Sequence, residues 1–259
     1  MKVVILAGGL GTRISEESHL KPKPMIEIGG QPILWHVMKC FQKYGYNEFV
    51  ICAGYKQQVI KEYFSHYYLH HNNITFDFTQ ENKKVYYNAN IEPWKVTVVD
   101  TGLNTMTGGR VKRIKDYIGD EPFLLTYGDG ICDVNIDELV KFHNKSKKTV
   151  TLTAVQPAAR FGILDIDANG DVNRFSEKAK EDVNWINGGY MVVEPSIFDY
   201  IKGDSTILER EPLETLSKKG ELNAFKHHGF WQCMDTQRDK TVLEEQYSSG
   251  NAVWKWWKD

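Results

Sequence analysis

Apolar positions along the chain fall into two kinds of run. Val3-Val4-Ile5-Leu6-Ala7 is continuously apolar, the mark of a strand covered on both faces in a parallel sheet. From Pro32 to Tyr44 the apolar positions Ile33, Leu34, Val37, Met38 and Phe41 recur at helical spacing, with proline near the first turn and Gly45 just past the end. Phe49 to Cys52 reads as a second buried strand, and Gln57 to Leu69 as a helix carrying Val59, Ile60, Tyr63, Phe64 and Tyr67. Phe123 to Tyr127 is a further central strand, Asp137 to Asn144 a helix, and Val150 to Val155 a strand. From about Phe161 the strands become short and alternating, at Ile163 to Ile166, Val172 to Phe175 and Tyr190 to Val193, before a late helix over Thr236 to Tyr247.

Strand and helix in alternation predict an α/β fold: a doubly wound, mostly parallel, Rossmann-like sheet with a mixed or antiparallel extension. Without an internal repeat or long linker, the 259 residues read as one compact unit with a variable outgrowth near residues 65–100. Lys and Arg total 32 against 34 Asp and Glu, a net charge of −2 that advertises no basic face for nucleic acid. Cys40, Cys52, Cys132 and Cys233 form no metal-ligand spacing and read as scattered thiols in a reducing compartment. The opening apolar run is too short for a membrane span or a secretory signal, so no membrane partner and a cytoplasmic location are expected.

Chemistry gathers where a doubly wound sheet binds its ligands, beyond the carboxyl ends of the strands. Leu6-Ala7-Gly8-Gly9-Leu10-Gly11-Thr12-Arg13 follows the first strand directly; glycines let backbone N–H groups approach phosphate oxygens, and Arg13 adds a planar fork of donors. It is not a dinucleotide fingerprint, because Ile14 stands where glycine or alanine is needed, and Gly11-Thr12-Arg13 is not a Walker sequence. Ten residues on, Lys21-Pro22-Lys23-Pro24 presents Lys23 on a segment that the prolines should hold extended. Asp129, at the end of a buried strand between two glycines, and Asp235, just before a helix, are candidate ligands for a hard cation. Asp133 reads instead as a cap of the following helix, and Asp235 also suits an N-cap. The eight histidines are given no role.

These residues carry a resemblance. The first loop, followed by Lys21-Pro22-Lys23-Pro24-Met25, is similar to the opening signature of the sugar-1-phosphate nucleotidylyltransferases, and the intervening Ser15-Glu16-Glu17 resembles the glucose-1-phosphate cytidylyltransferases in particular. Further matches run nearly to the C-terminus: Glu92-Pro93-Trp94, Asp100-Thr101-Gly102, Met106 to Arg110, Thr126 to Gly130, Phe161-Gly162, Asn187-Gly188-Gly189 and Gly229 to Gln232. Phe175-Ser176-Glu177-Lys178-Ala179 departs from the wider family, which usually has Glu-Lys-Pro there. The resemblance implies a nucleotide-binding half over residues 1–135 and a sugar-phosphate half with the late helix and tail over residues 136–259. It implies that Leu6 to Arg13 wrap the nucleotide, with Lys23, Thr105 and Arg110 helping to seat it. It further implies that Gly162, Glu177, Lys178, Asn187 and Gly188 hold the sugar phosphate, and that Asp129 and Asp235 hold one Mg²⁺.

The reaction so implied is transfer of CMP from CTP to glucose 1-phosphate, giving CDP-glucose for deoxysugar or polysaccharide synthesis, by direct displacement with Arg13, Lys23, Asp129 and Asp235 as the catalytic set. Spacing leaves open the same reaction with UTP or dTTP, a different phosphorylated acceptor, or a non-catalytic nucleotide-sugar sensor. A homo-oligomer is expected. Trp254, Trp256 and Trp257 are too apolar to stand loose in water, so one or both of the tail and the aromatics Tyr63, Phe64, Tyr67 and Tyr68 are expected to form a subunit interface.

Overall fold

The computed structural model describes residues 1–14, 17, 19–80, 83–87, 91–157, 163–167, 171–176 and 184–258. The predicted Gly162, Glu177 and Lys178 therefore lie outside the described residues. The strands are β1 (Val3–Ala7), β2 (Glu27–Ile28), β3 (Gln31–Pro32), β4 (Glu48–Ala53), β5 (Asn73–Asp77), β6 (Lys83–Tyr87), β7 (Lys95–Asp100), β8 (Phe123–Tyr127), β9 (Gly130–Cys132), β10 (Val150–Val155), β11 (Ile163–Ile166), β12 (Val172–Ser176), β13 (Ile186–Val193), β14 (Leu222–His227) and β15 (Trp231–Cys233). Seven of them form one sheet in the order β14-β10-β13-β8-β1-β4-β7. β8, β1, β4 and β7 run parallel, while β13 lies antiparallel to both β8 and β10. The expected doubly wound sheet with an antiparallel extension is present.

Alternate residues of β1 show why it sits at the centre. Val3, Ile5 and Ala7 face one layer with Leu34, Val37, Met38 and Phe41 of helix Ile33–Gln42. Val4 and Leu6 face the opposite layer with Val111, Ile114, Leu213 and Leu216. Burying both faces explains a run with no polar interruption. Pro32 precedes the first helical residue and Gly45 takes φ +81 beyond the end, as the pattern predicted.

Three departures have local causes. The helix expected over Gln57 to Leu69 breaks at His66 into Gln57–Ser65 and Tyr67–His70. Tyr67 thereby turns inward, accepting a hydrogen bond from Trp35 Nε1 at 2.8 Å and donating to Glu92. The outgrowth near 65–100 is only partly one: β5 and β6 pair with each other alone, but Lys95–Asp100 forms the edge strand β7. An edge strand need not be continuously apolar, so its alternating sequence resembled an insertion.

The tail docks on its own chain, leaving Trp256 41% exposed. Trp254 is 3% exposed, stacks on Phe230 and donates Nε1–H to His36 Nδ1 at 3.4 Å. Trp256 donates to Lys39 O at 2.9 Å, and the Lys39 ammonium lies over the rings of Trp35, Trp256 and Trp257. Tyr63, Phe64 and Tyr67 likewise pack against the core, while Tyr68 is exposed. Among the described residues no helix is long and apolar enough to cross a membrane.

His36 is fully buried, and its Nε2 lies 2.8 Å from Ile28 O, so a single neutral tautomer donates there and accepts from Trp254. Burial pushes its pKa down to about 4 from the usual 6.5. A depressed folded pKa means that the stability is complete above pH 6.5 and drains as the pH falls toward 4, where the unfolded chain takes up the proton first. The loss is about 3 kcal/mol over that window. Urea unfolding of His36→Gln should show a shallower decline than the parent between pH 6.5 and 4; parallel curves would refute this account.

Candidate active site

The order of strands reverses between β1 and β8: the chain moves outward through β4 and β7, then returns to the other side of β1. Two loops diverge there and leave a crevice. Residues 8–13 leave β1 and Gly128-Asp129 leaves β8, so the sheet topology itself places Arg13 and Asp129 on one rim.

The first loop is held open by a buried side chain. Arg110, 4% exposed in helix Thr107–Arg113, donates to Gly8 O at 2.9 Å, Gly102 O at 2.7 Å, Thr101 Oγ1 at 2.7 Å, Leu103 O at 3.2 Å and Ala53 O at 3.3 Å. One guanidinium thus fastens the loops after β1, β4 and β7 together. Gly8 and Gly54 are required beside it: a Cβ on Gly8 would lie 2.2 Å from Arg110 Nη1, and one on Gly54 would lie 2.5 Å from the same atom. Burial lowers the Arg110 pKa, yet five acceptors surround its donors.

Lys23 arrives by a different local geometry from the one expected. Pro22 is extended (ψ 148), but Lys23–Met25 forms a single 3-10 turn, and Lys23 is buried rather than presented on an extended arm. Its ammonium donates to Asp129 Oδ2 at 2.5 Å and to Asp235 Oδ1. Burial alone would lower the Lys23 pKa; the Asp129 charge and the hydrogen bonds to both aspartates raise it instead. Arg13 completes the group through Nη1 on Asp235 Oδ2 at 2.5 Å. Burial raises the Asp235 carboxyl, but Lys23 and then Arg13 leave it below the ordinary carboxylate range.

Asp235 comes from far along the chain, and pairing brings it in. β15 lies antiparallel to β9 with Cys233 opposite Gly130, and Met234 N donates to Asp129 O at 2.9 Å. The next helix, Gln237–Ser248, is capped by Thr236 in a capping box with Asp239, so Asp235 is not its cap. Asp239 Oδ2 accepts from the backbone of Asp235 at 3.1 Å and fixes it. Asp133 does not cap the helix Ile136–Ser146 either; Asn135 does, accepting from Glu138 N. Asp133 Oδ1 accepts from Phe230 N at 2.7 Å and meets His227 Nε2 at 2.8 Å, tying β14 to the β9–β15 ribbon.

A cleft of about 360 Å³ is lined by Leu6, Ala7, Gly8, Gly9, Gly11, Thr12, Arg13, Lys23, Thr105, Arg110 and Asp129, with Pro24, Met106, Thr107, Tyr127 and Gly128. Leu10 is outside this wall and 52% exposed. A second lobe of about 260 Å³ carries Asn187, Gly188, Trp231, Cys233 and Asp235. Arg13, Tyr127 and Asp129 line both, so the paired charges stand where the lobes meet. Tyr127 and Trp231, whose Nε1 donates to Gly188 O at 2.8 Å, received no role from the sequence. Adjacency to Asp129 was a usable signal for Tyr127; nothing local marked Trp231. Within the same centre, oxygens of Asp129 and Asp235 and the Cys233 sulfur lie within 4.8 Å of one another. Burial pushes the Cys233 thiol up, which disfavours it as a thiolate ligand.

The cleft at the switch point, with facing cations and carboxylates, is one suited to a polyphosphate. The chain belongs to the nucleotidyl transferase family, whose sequence profile matches residues 2–236. It is 54% identical over 259 residues to the glucose-1-phosphate cytidylyltransferase of Salmonella typhi, covering all of both chains. It is 45% identical over 258 residues to a probable glucose-1-phosphate cytidylyltransferase of Bacillus subtilis, spanning 99% of this chain and 100% of the other. In fold it is similar to HddC from Yersinia pseudotuberculosis, with TM-score 0.69 and 24% identity over 95% of this chain and 99% of that one.

Replacing Arg110 takes the guanidinium from Gly102 O and Leu103 O, while Gly8 O keeps Tyr55 N and Ala53 O keeps Thr101; an acceptor left unmet out of water costs about 1–3 kcal/mol. Arg110→Met is expected to lower unfolding stability by roughly 3 kcal/mol or more and to weaken nucleotide binding, read by chemical denaturation and by calorimetric titration. A variant as stable as the parent would show that the guanidinium does not hold the loops.

Proposed function

We propose that the chain transfers CMP from CTP to glucose 1-phosphate, releasing pyrophosphate and forming CDP-glucose. The observation that carries this reading is the convergence of Arg13, Lys23, Asp129 and Asp235 at the junction of two lobes. The larger lobe, walled by glycine-rich backbone, takes the nucleotide. The lobe with Asn187 and Gly188 takes the sugar phosphate, and the resemblance adds Gly162, Glu177 and Lys178 there.

An oxygen of the glucose 1-phosphate attacks the α-phosphorus of CTP in line with the departing pyrophosphate; one P–O bond forms as another breaks. The attacking phosphate is already ionised, so the step needs no protein base. Arg13 and Lys23 supply positive charge to the triphosphate and its leaving group. The two lysine-bound aspartates fit a hard divalent cation such as Mg²⁺, with their oxygens grouped and partly accessible. When bound, Mg²⁺ would neutralise the charge that develops on the phosphate oxygens. A triphosphate entering the cleft competes for Arg13 and Lys23, and each cation that turns to phosphate frees carboxylate oxygen.

Self-association is part of the same reading. Among the described residues the β5–β6 hairpin forms a two-stranded sheet of its own, and it leaves Phe76 47% and Phe78 79% exposed. A homo-oligomer would cover these rings. Phe76→Ser combined with Phe78→Ser should then lower the native mass measured by light scattering, while an unchanged mass would remove the hairpin from any contact.

Pyrophosphate release scanned over four nucleoside triphosphates and several sugar 1-phosphates with Mg²⁺ tests the reaction. Turnover should be fastest with CTP and glucose 1-phosphate; robust turnover only with a non-sugar phosphate would overturn it. Asp129→Asn and Asp235→Asn should each reduce kcat at least ~100-fold, and near-normal rates would remove that carboxylate from the mechanism.

A further inference from the structure

A line of hydrogen bonds ties a residue shared by the two lobes to the wall of the nucleotide lobe. It begins at Tyr127, the last residue of β8, whose ring lines both lobes. On the sugar-phosphate side Tyr127 lines the same lobe as Asn187. The Asn187 amide is itself oriented, since its Oδ1 accepts from Gly189 N at 2.9 Å. On the other side the phenol donates to Glu209 Oε1. Glu209 Oε2 accepts from Thr107 Oγ1 at 2.6 Å, and Thr107 Oγ1 accepts in turn from Leu208 N at 2.9 Å. Thr107 lies in the wall of the nucleotide lobe.

The segment that delivers Glu209 is anchored firmly. Met106 N donates to Asp204 O at 2.8 Å and Gly109 N to Thr206 O at 3.2 Å. Arg113 grips Asp204 with two donors, at 2.9 and 2.6 Å. The approach is so close that a Cβ on Gly109 would lie 2.5 Å from Asp204 O. The opposite face of Tyr127 is packed too: Gly189 has φ +82, and a Cβ there would lie 2.5 Å from the ring. The ring is thus pressed from one side, and its hydroxyl is held by the Glu209 carboxylate. An ionised carboxylate suits this position because it accepts from both Tyr127 and Thr107. Glutamine offers one acceptor and would set an N–H donor against one of the two hydroxyls.

We infer that Glu209 is a positioning residue which, through Tyr127, fixes the sugar-phosphate lobe relative to the nucleotide lobe, so that the attacking phosphate and the α-phosphorus are aligned. The inference rests on the two-substrate reading of the cleft. Misplacement of a substrate by about 1 Å can cost on the order of 100-fold in rate, while the nucleotide's own contacts, from Gly8 to Arg13, are untouched by Glu209.

Steady-state kinetics of Glu209→Ala, Tyr127→Phe and the double variant test it, with CTP affinity measured separately by calorimetry. Glu209→Ala should lower kcat/KM for the sugar phosphate by about 10-fold or more, with CTP affinity changed less than about threefold. Because Glu209 acts through the phenol, the double variant should be no slower than Tyr127→Phe alone. Glu209→Gln should recover part of the loss. Additive losses in the double variant, or a drop confined to CTP affinity, would overturn the inference, as would Glu209→Ala at parental efficiency. Should the parent enzyme turn over a different triphosphate and sugar phosphate, the functional reading fails, and the same cycle run on that pair still decides the role of Glu209.

Discussion

Everything at the cleft depends on one ammonium group held between two carboxylates. Lys23 is buried, and a lone buried cation would be expensive; Asp129 and Asp235 make it tolerable, and it in turn allows two like charges to stand side by side. Arg13 balances the group from the solvent side, with a side chain 73% exposed. The four formal charges cancel in the resting protein. Neutrality of this kind is conditional, because the cations can exchange carboxylate oxygen for phosphate oxygen with little net change in their own surroundings. The carboxylates then need a new partner, which is the circumstance that favours a divalent ion. On the proposed reading, the ion pairs hold the places that phosphate oxygens and a divalent ion would take.

That arrangement is affordable only because rigid backbone delivers its members. Asp129 leaves a strand buried on both faces, Asp235 is registered against it by the β9–β15 ribbon, and Asp239 fixes the Asp235 backbone. Arg110 does the corresponding service for the glycine-rich loop, using its donors on the protein rather than on a ligand. Its contribution to the cleft is therefore one of shape.

Much of this was legible in the chain. Continuous apolar runs located β1, β4 and β8, because burial on both faces forbids polar positions, and a glycine loop beyond such a strand marked the crevice. Asp129 and Lys23 were readable for the same reason: strand ends and proline-stiffened turns are local features. What was not legible was decided at a distance. β7 escaped notice because an edge strand need not be apolar throughout. The break at His66 answers to Trp35 and Glu92, and the docking of Trp254 answers to His36. Asp133 looked like a cap by position, but its partners Phe230 and His227 come from the opposite end of the sequence. Tyr127 stood beside a recognised aspartate, yet its significance lies in facing both lobes.

The sheet order carries a consequence for how the molecule is assembled. β8 is flanked by β1, from the first residues, and by β13, some sixty positions later in the series; a third apolar layer joins Ile14, Ile26 and Ile33 to Met234, Leu243 and Trp254. Partners so widely separated must wait for one another, and loop closure is costly before they meet. During synthesis on a ribosome the open flank of β8 would remain unpaired while β13 is still being made, a period in which an adhesive strand edge faces the cellular milieu. Efficient production of this protein should accordingly depend on shielding that edge in the growing polypeptide.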